Sequence, residues 1–126
     1  DSFILRSLGK YSQYFLYIIL LSEIIIKREK YLSQIIDELK ENGIKDDHII
    51  YINFEDIKYD KVNDYLKLNE FVTSKIVDSD KYYLFFDEIQ LITKWEKVIN
   101  SFRANLNVSI FITGSNSKLL SGELAT

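Results

Sequence analysis

The chain holds 126 residues, 47% hydrophobic and 28% charged, with a net charge of −3. That is room for one domain with a real core, and the near-balanced charge gives no electrostatic case for nucleic acid or a membrane surface as partner. Cysteine is absent and His48 is the one histidine, which excludes a disulfide framework, a thiolate metal centre and a paired-histidine motif.

Residues 1–12 read as a lead-in, with a short helix around Phe3 to Leu8. "YFLYIIL" at 14–20 reads as a buried strand. Extended to Leu21 it is still far short of the roughly 20 apolar residues a membrane span needs. No cleavage pattern or sorting tail is visible, so the cytoplasm is the default location. From Lys30 to Asn42 the apolar positions Tyr31, Leu32, Ile35, Ile36 and Leu39 keep helical spacing, and Gly43 suits a left-handed C-terminal cap. "HIIYINF" at 48–54 is the second strand, with His48 in a structural role. Val62, Leu66, Val72 and Ile76, beside Tyr65 and Phe71, mark a second helix.

The third strand, 82–87, is "YYLFFD", apolar on both faces, as for a central strand covered by helices on two sides. Thr93 stands three residues before Glu96, a capping-box spacing for a helix from Lys94 whose apolar face is Trp95, Val98, Ile99 and Phe102. "NVSIFITG" at 107–114 is the fourth strand, and "SNSKLLSG" begins a last helix. Strands alternating with helices predict a three-layer α/β/α domain with a parallel sheet. The whole chain, 1–126, reads as one partial domain.

Three strand ends then meet at one sheet edge, where open α/β sheets bind ligands. The third ends in Asp87-Glu88, the fourth in Thr113-Gly114-Ser115-Asn116, and the second in Asn53, followed by Glu55 and Asp56. An acidic pair at a strand end is often a solvated loop or a helix cap. Nucleotide phosphoryl transfer, however, asks for this set: a carboxylate for Mg²⁺, a base for water and a polar group near the γ-phosphate.

"YYLFFDEIQLITKWEKVINSF" followed by "NVSIFITGSNSKLLSGELAT" resembles the prokaryotic AAA-type P-loop ATPases. The resemblance covers residues 31–126 and implies a P-loop NTPase-like sheet in the order 1-4-3-2, incomplete at its carboxyl end. It implies ATP and Mg²⁺ as cofactors. Leu84 to Glu88 would be the Walker B strand, with Asp87 supporting the metal and Glu88 the general base. Ser115 or Asn116 would be sensor 1, while Trp95 packs its helix.

The same family carries G-x-x-x-x-G-K-[ST] after its first strand, where glycines let backbone N–H groups close around phosphates. In this chain the slot reads "LLSEIIIKREKYLSQIIDEL", with no glycine between Gly9 and Gly43. Lys30 falls where the motif lysine belongs and is the candidate phosphate contact. Glu29 takes the glycine position, Tyr31 the hydroxyl position, and Ile24, Ile25 and Ile26 are stiff where a turning loop is required.

Two readings follow. One is an AAA-type ATPase domain whose nucleotide binding is impaired. The other is a non-catalytic interaction or assembly module that keeps the fold. In the family's strand order the first strand would be an exposed edge inviting self-association. No residue pattern specifies another protein or nucleic-acid partner. A receiver-like phosphoacceptor is disfavoured because no lysine closes the third or fourth strand.

Overall fold

Four apolar runs become four parallel strands in the computed structural model, which describes residues 16–20 and 25–114, with side chains from 32 onward. They are β1 (Leu16–Leu20), β2 (Ile49–Asn53), β3 (Tyr82–Asp87) and β4 (Val108–Gly114). The strands pair in the order β1-β4-β3-β2, all parallel. Three helices connect them: α1 (Ile25–Glu41), α2 (Tyr65–Lys75) and α3 (Trp95–Asn105).

The period-two alternation of a strand sorts its side chains between two helix layers. Leu84, Phe86, Ile110, Ile112, Ile50 and Ile52 join Leu68 and Val72 of α2 and Val98, Ile99 and Phe102 of α3 in the larger core. On the other face Phe85 and Phe111 stack at 4.5 Å beneath Leu32, Ile35 and Leu39 of α1. The result is the α/β/α three-layer class expected from the sequence. β3 and β4 are buried on both faces, so they carry no polar stripe until their carboxyl ends.

α1 ends as Gly43 predicts. Gly43 has φ +92° and donates to the carbonyl of Lys40 at 3.0 Å, while Ile44 donates to that of Leu39 at 3.1 Å. This is the Schellman arrangement, and only glycine takes that φ without penalty.

Three expectations need correction. α1 starts at Ile25 rather than Lys30, so the helix already includes residues 25–29. α2 is anchored by Leu68 and Val72, and Leu66, placed on its apolar face by spacing alone, is exposed. The Thr93 capping box does not form. Lys94 occupies the N-cap of α3 in the left-handed region, φ 57°, without a side-chain cap. The Thr93 backbone is instead bridged to Asp64 and accepts from the Tyr65 N–H at 3.1 Å. The working cap is Asp64, which accepts from the Lys67 N–H at 2.9 Å and closes α2. The lead-in helix and the last helix lie outside the described residues. Among those described, no helix is long and apolar enough to cross a membrane.

Candidate active site

Because every strand runs the same way, β1, β4, β3 and β2 all end at one edge. The β3–β4 register pairs Phe85 with Phe111, so Asp87 and Thr113, two residues on, share a row on the α1 face. Both are fully buried. Burying a carboxylate without hydrogen bonds is prohibitive, and this one has donors on each oxygen. The Thr113 hydroxyl donates to Asp87 Oδ1, and the Tyr51 hydroxyl donates to Oδ2 at 3.2 Å. Tyr51 lies opposite Phe85 in the β2–β3 register, one row back, and its long side chain reaches forward along the sheet.

Thr113 has a second task. Its Oγ1 accepts the Glu88 N–H at 3.2 Å, so one hydroxyl ties the last carboxylate of β3 to the first peptide beyond it. The Asp87 carbonyl in turn accepts the Phe54 N–H at 3.0 Å, fastening β2 to the same point.

Glu88 turns the chain. It has φ 59° and ψ 50°, the left-handed region, at a residue with a Cβ. Such a conformation costs on the order of 1–3 kcal/mol and clusters at functional sites. It opens the short 3₁₀ turn Ile89–Leu91, with the Leu91 N–H on the Glu88 carbonyl at 3.2 Å. The Glu88 side chain is buried and takes the Gln90 Nε2 donor at 2.5 Å on its Oε1.

The sequence candidates therefore divide. Asp87, Glu88 and Thr113 are brought together. Asn53 and Asp56 are spent on local turns: Asn53 Oδ1 accepts the Glu55 N–H at 3.0 Å, and Asp56 Oδ1 the Lys58 N–H at 3.1 Å. Lys30 stands in the second turn of α1, past the helix start where the phosphate-binding motif puts its lysine. Ser115 and Asn116 lie outside the described residues. Trp95 is buried in the larger core, as a packing residue should be. Tyr51 and Gln90 were missed. Tyr51 was detectable from the parallel register, which sets odd positions of β2 beside odd positions of β3.

How far these groups fit Mg²⁺ and a nucleotide can be tested on the edge itself. A buried, oriented carboxylate is an oxygen donor of the kind Mg²⁺ takes, directly or through water, so Asp87 fits the metal side. On the phosphate side only the sequence can be compared. Between the end of β1 at Leu20 and the start of α1 at Ile25 stand Leu21, Ser22, Glu23 and Ile24, with no glycine and one carboxylate.

A family model described as an AAA domain matches residues 30–126. The chain belongs to that family. A protein of Haemophilus influenzae, itself described as uncharacterized, is 43% identical over 96 residues, covering 75% of this chain and 24% of that protein. A second uncharacterized protein, from Methanocaldococcus jannaschii, is 42% identical over 101 residues, covering 76% of this chain and 20% of its own length. The chain thus spans about a quarter and a fifth of these two curated relatives. No solved structure matches it.

Proposed function

We propose that this AAA domain is of the ATPase type, with the metal and water side of the site built at the end of β3 and the phosphate side degenerate. The observation that carries the reading is the Asp87 carboxylate. It is fully buried, held on both oxygens by hydroxyls, and followed at once by Glu88 in a left-handed turn. A structural acid at a strand end needs neither the burial nor the strained neighbour. In this reading Asp87 holds Mg²⁺ through water and Glu88 is the base for water, as Walker B residues are. Thr113 keeps both in register. Bound Mg²⁺ would supply charge neutralisation at the phosphates. Lys30, Ser115 and Asn116 are the remaining contacts for ATP, and the cytoplasm is the location.

ATP binding is weak in this reading. A missing preorganised N–H donor costs about 3 kcal/mol at comparable oxyanion sites, and the glycine-free segment removes more than one. Titration of the chain with ATP·Mg²⁺ should therefore show no saturable binding below the millimolar range. Micromolar affinity would refute the degenerate phosphate side. The glycine-free sequence between β1 and α1 also favours the second reading, a module that keeps the fold for assembly. Its own expectation is self-association through β1, which among the described strands pairs only with β4. A monomer in sedimentation at all accessible concentrations would remove it.

A further inference from the structure

At the opposite end of the sheet a second cluster forms around His48, the last residue of the 3₁₀ turn Asp46–His48 that leads into β2. The loop before β3 brings Asp78 and Asp80 against it. His48 Nε2 lies 3.0 and 3.2 Å from the two oxygens of Asp78 and 3.8 Å from Asp80 Oδ2. One ligand atom from each of the three residues lies within 4.8 Å of the other two. On the far side of the ring, Nδ1 lies 2.8 Å from Asp47 Oδ1. His48 is 7% exposed and its imidazole packs on Tyr82 with ring centroids 4.5 Å apart, which restrains the ring. Asp78 is steadied too: its Oδ1 accepts the Asp80 N–H at 3.0 Å.

The charges do not balance. Asp47, Asp78 and Asp80 surround one imidazole, so even an imidazolium leaves an excess of two negative charges. Among the described residues no lysine or arginine forms an ion pair with any of the three. Water screens the exposed carboxylates, but the excess of negative charge around a buried imidazole favours a cation here, and the donors say which kind.

We propose that His48, Asp78 and Asp80 bind a divalent cation of the zinc class, with Asp47 orienting the imidazole. Four-coordinate Zn²⁺ holds nitrogen and oxygen ligands at about 2.0–2.1 Å, which sets ligand–ligand separations of about 3.3 Å. The observed separations from Nε2 bracket that value. A carboxylate on the other ring nitrogen is the usual partner of a metal-bound histidine, fixing Nδ1–H and leaving the Nε2 lone pair for the metal. An imidazole donor selects against Mg²⁺ and Ca²⁺, which prefer all-oxygen shells. Three protein ligands leave a fourth position for water, and Asp80 is exposed enough for entry. The site lies on the edge away from Asp87 and does not rest on the ATPase reading.

The test uses the untagged full chain, stripped with a chelator and dialysed, and titrated calorimetrically with Zn²⁺ and separately with Mg²⁺ near neutral pH. One saturable Zn²⁺ site per chain in the micromolar range is expected, with no Mg²⁺ binding at the same concentrations. Asp80→Asn should weaken Zn²⁺ at least about tenfold while leaving the melting of the stripped protein unchanged, because the Asp80 side chain is exposed and stands 3.8 Å from the ring. Asp47→Asn should also weaken it about tenfold without changing the stoichiometry. His48→Gln should abolish binding. If that variant fails to fold, Asp80→Asn alone decides. No saturable Zn²⁺ binding below the millimolar range, or equal affinity in the wild type and Asp80→Asn, overturns the proposal.

Discussion

At its carboxyl end β3 finishes in Asp87, fully buried, whose oxygens take neutral hydroxyl donors from Thr113 and Tyr51. Just before its amino end, Asp78 and Asp80 lie open to solvent and converge on an imidazole. Both ends gather carboxylates, and they manage the charge by different physics. Inside, where water is excluded, the carboxylate depends on directed hydrogen bonds, and losing one leaves a desolvated charge. Outside, water screens the acids, and the cluster depends on the sign of its centre: a proton or a metal ion at His48. The first end is expected to be sensitive to the loss of a single hydroxyl, and the second to the charge at its centre.

Thr113→Val is the sharpest way to break that contrast. Valine keeps the volume but removes the hydroxyl shared by Asp87 and the Glu88 N–H. A buried charge loses a donor and a peptide N–H loses its acceptor. The loss expected is about 2–4 kcal/mol in urea unfolding, with the slope unchanged. A change below about 0.5 kcal/mol would show that water or a neighbour satisfies both groups. Tyr51→Phe probes the same carboxylate from its more open side. Tyr51 is 36% exposed, so water can replace the phenol, and the expected cost is nearer about 1 kcal/mol. Equal costs for the two variants would mean that the hydroxyls share the charge evenly.

The amino end should answer to pH. Burial pushes the His48 pKa down, but the hydrogen bond and charge of Asp78, with the charge of Asp47, outweigh it and raise it above 6.5. Asp80 and the Tyr82 ring complete its surroundings. A raised folded-state value means the proton binds the native state better. Its stabilisation is complete below the unfolded value near 6.5 and fades as pH rises through the higher folded value. With chelator present, the melting temperature of the wild type should fall from about pH 6 to about pH 8 relative to His48→Gln. Parallel curves for the two proteins would show that His48 keeps one charge throughout.

The same difference explains which parts of the molecule are legible in the sequence. Strands with two buried faces announce themselves as apolar runs, and the polar residues that end them, Asp87 and Thr113, stand out against that background. Their meeting follows from parallel pairing alone. The His48 cluster gives no such signal. Its histidine and Asp78 are 30 residues apart in the chain, and only the β2–β3 register and the loop before Lys81 join them. Tyr51 is hidden for a related reason: in a strand it reads as one more aromatic residue until its place one row behind Asp87 is known. The Thr93 cap misleads because local spacing offers Glu96, whereas the backbone there is claimed by the start of α2. At α1, counting the apolar positions from Lys30 misses a first turn that begins with two isoleucines, residues of modest helix propensity.

The smallest expected effect belongs to Glu88→Gln, and it separates an ATPase from a retained fold. Glutamine keeps the volume and an oxygen able to accept the Gln90 amide, and it tolerates the left-handed turn no worse than glutamate does. It also removes one of two adjacent carboxylates, relieving repulsion with Asp87. Stability should therefore change by no more than about 0.5 kcal/mol, in either direction. Water activation needs the carboxylate, because an amide cannot take the proton. If the phosphate side is degenerate as proposed, the wild type is expected to hydrolyse no ATP above background, so the substitution has no rate to remove. Measured side by side, the two proteins should show equal background rates and nearly equal melting. A wild-type rate that collapses in Glu88→Gln while nucleotide binding and melting persist would show that the carboxyl edge works despite the glycine-free sequence after β1. The weak-binding half of the proposed function would then fall, and its catalytic half would stand.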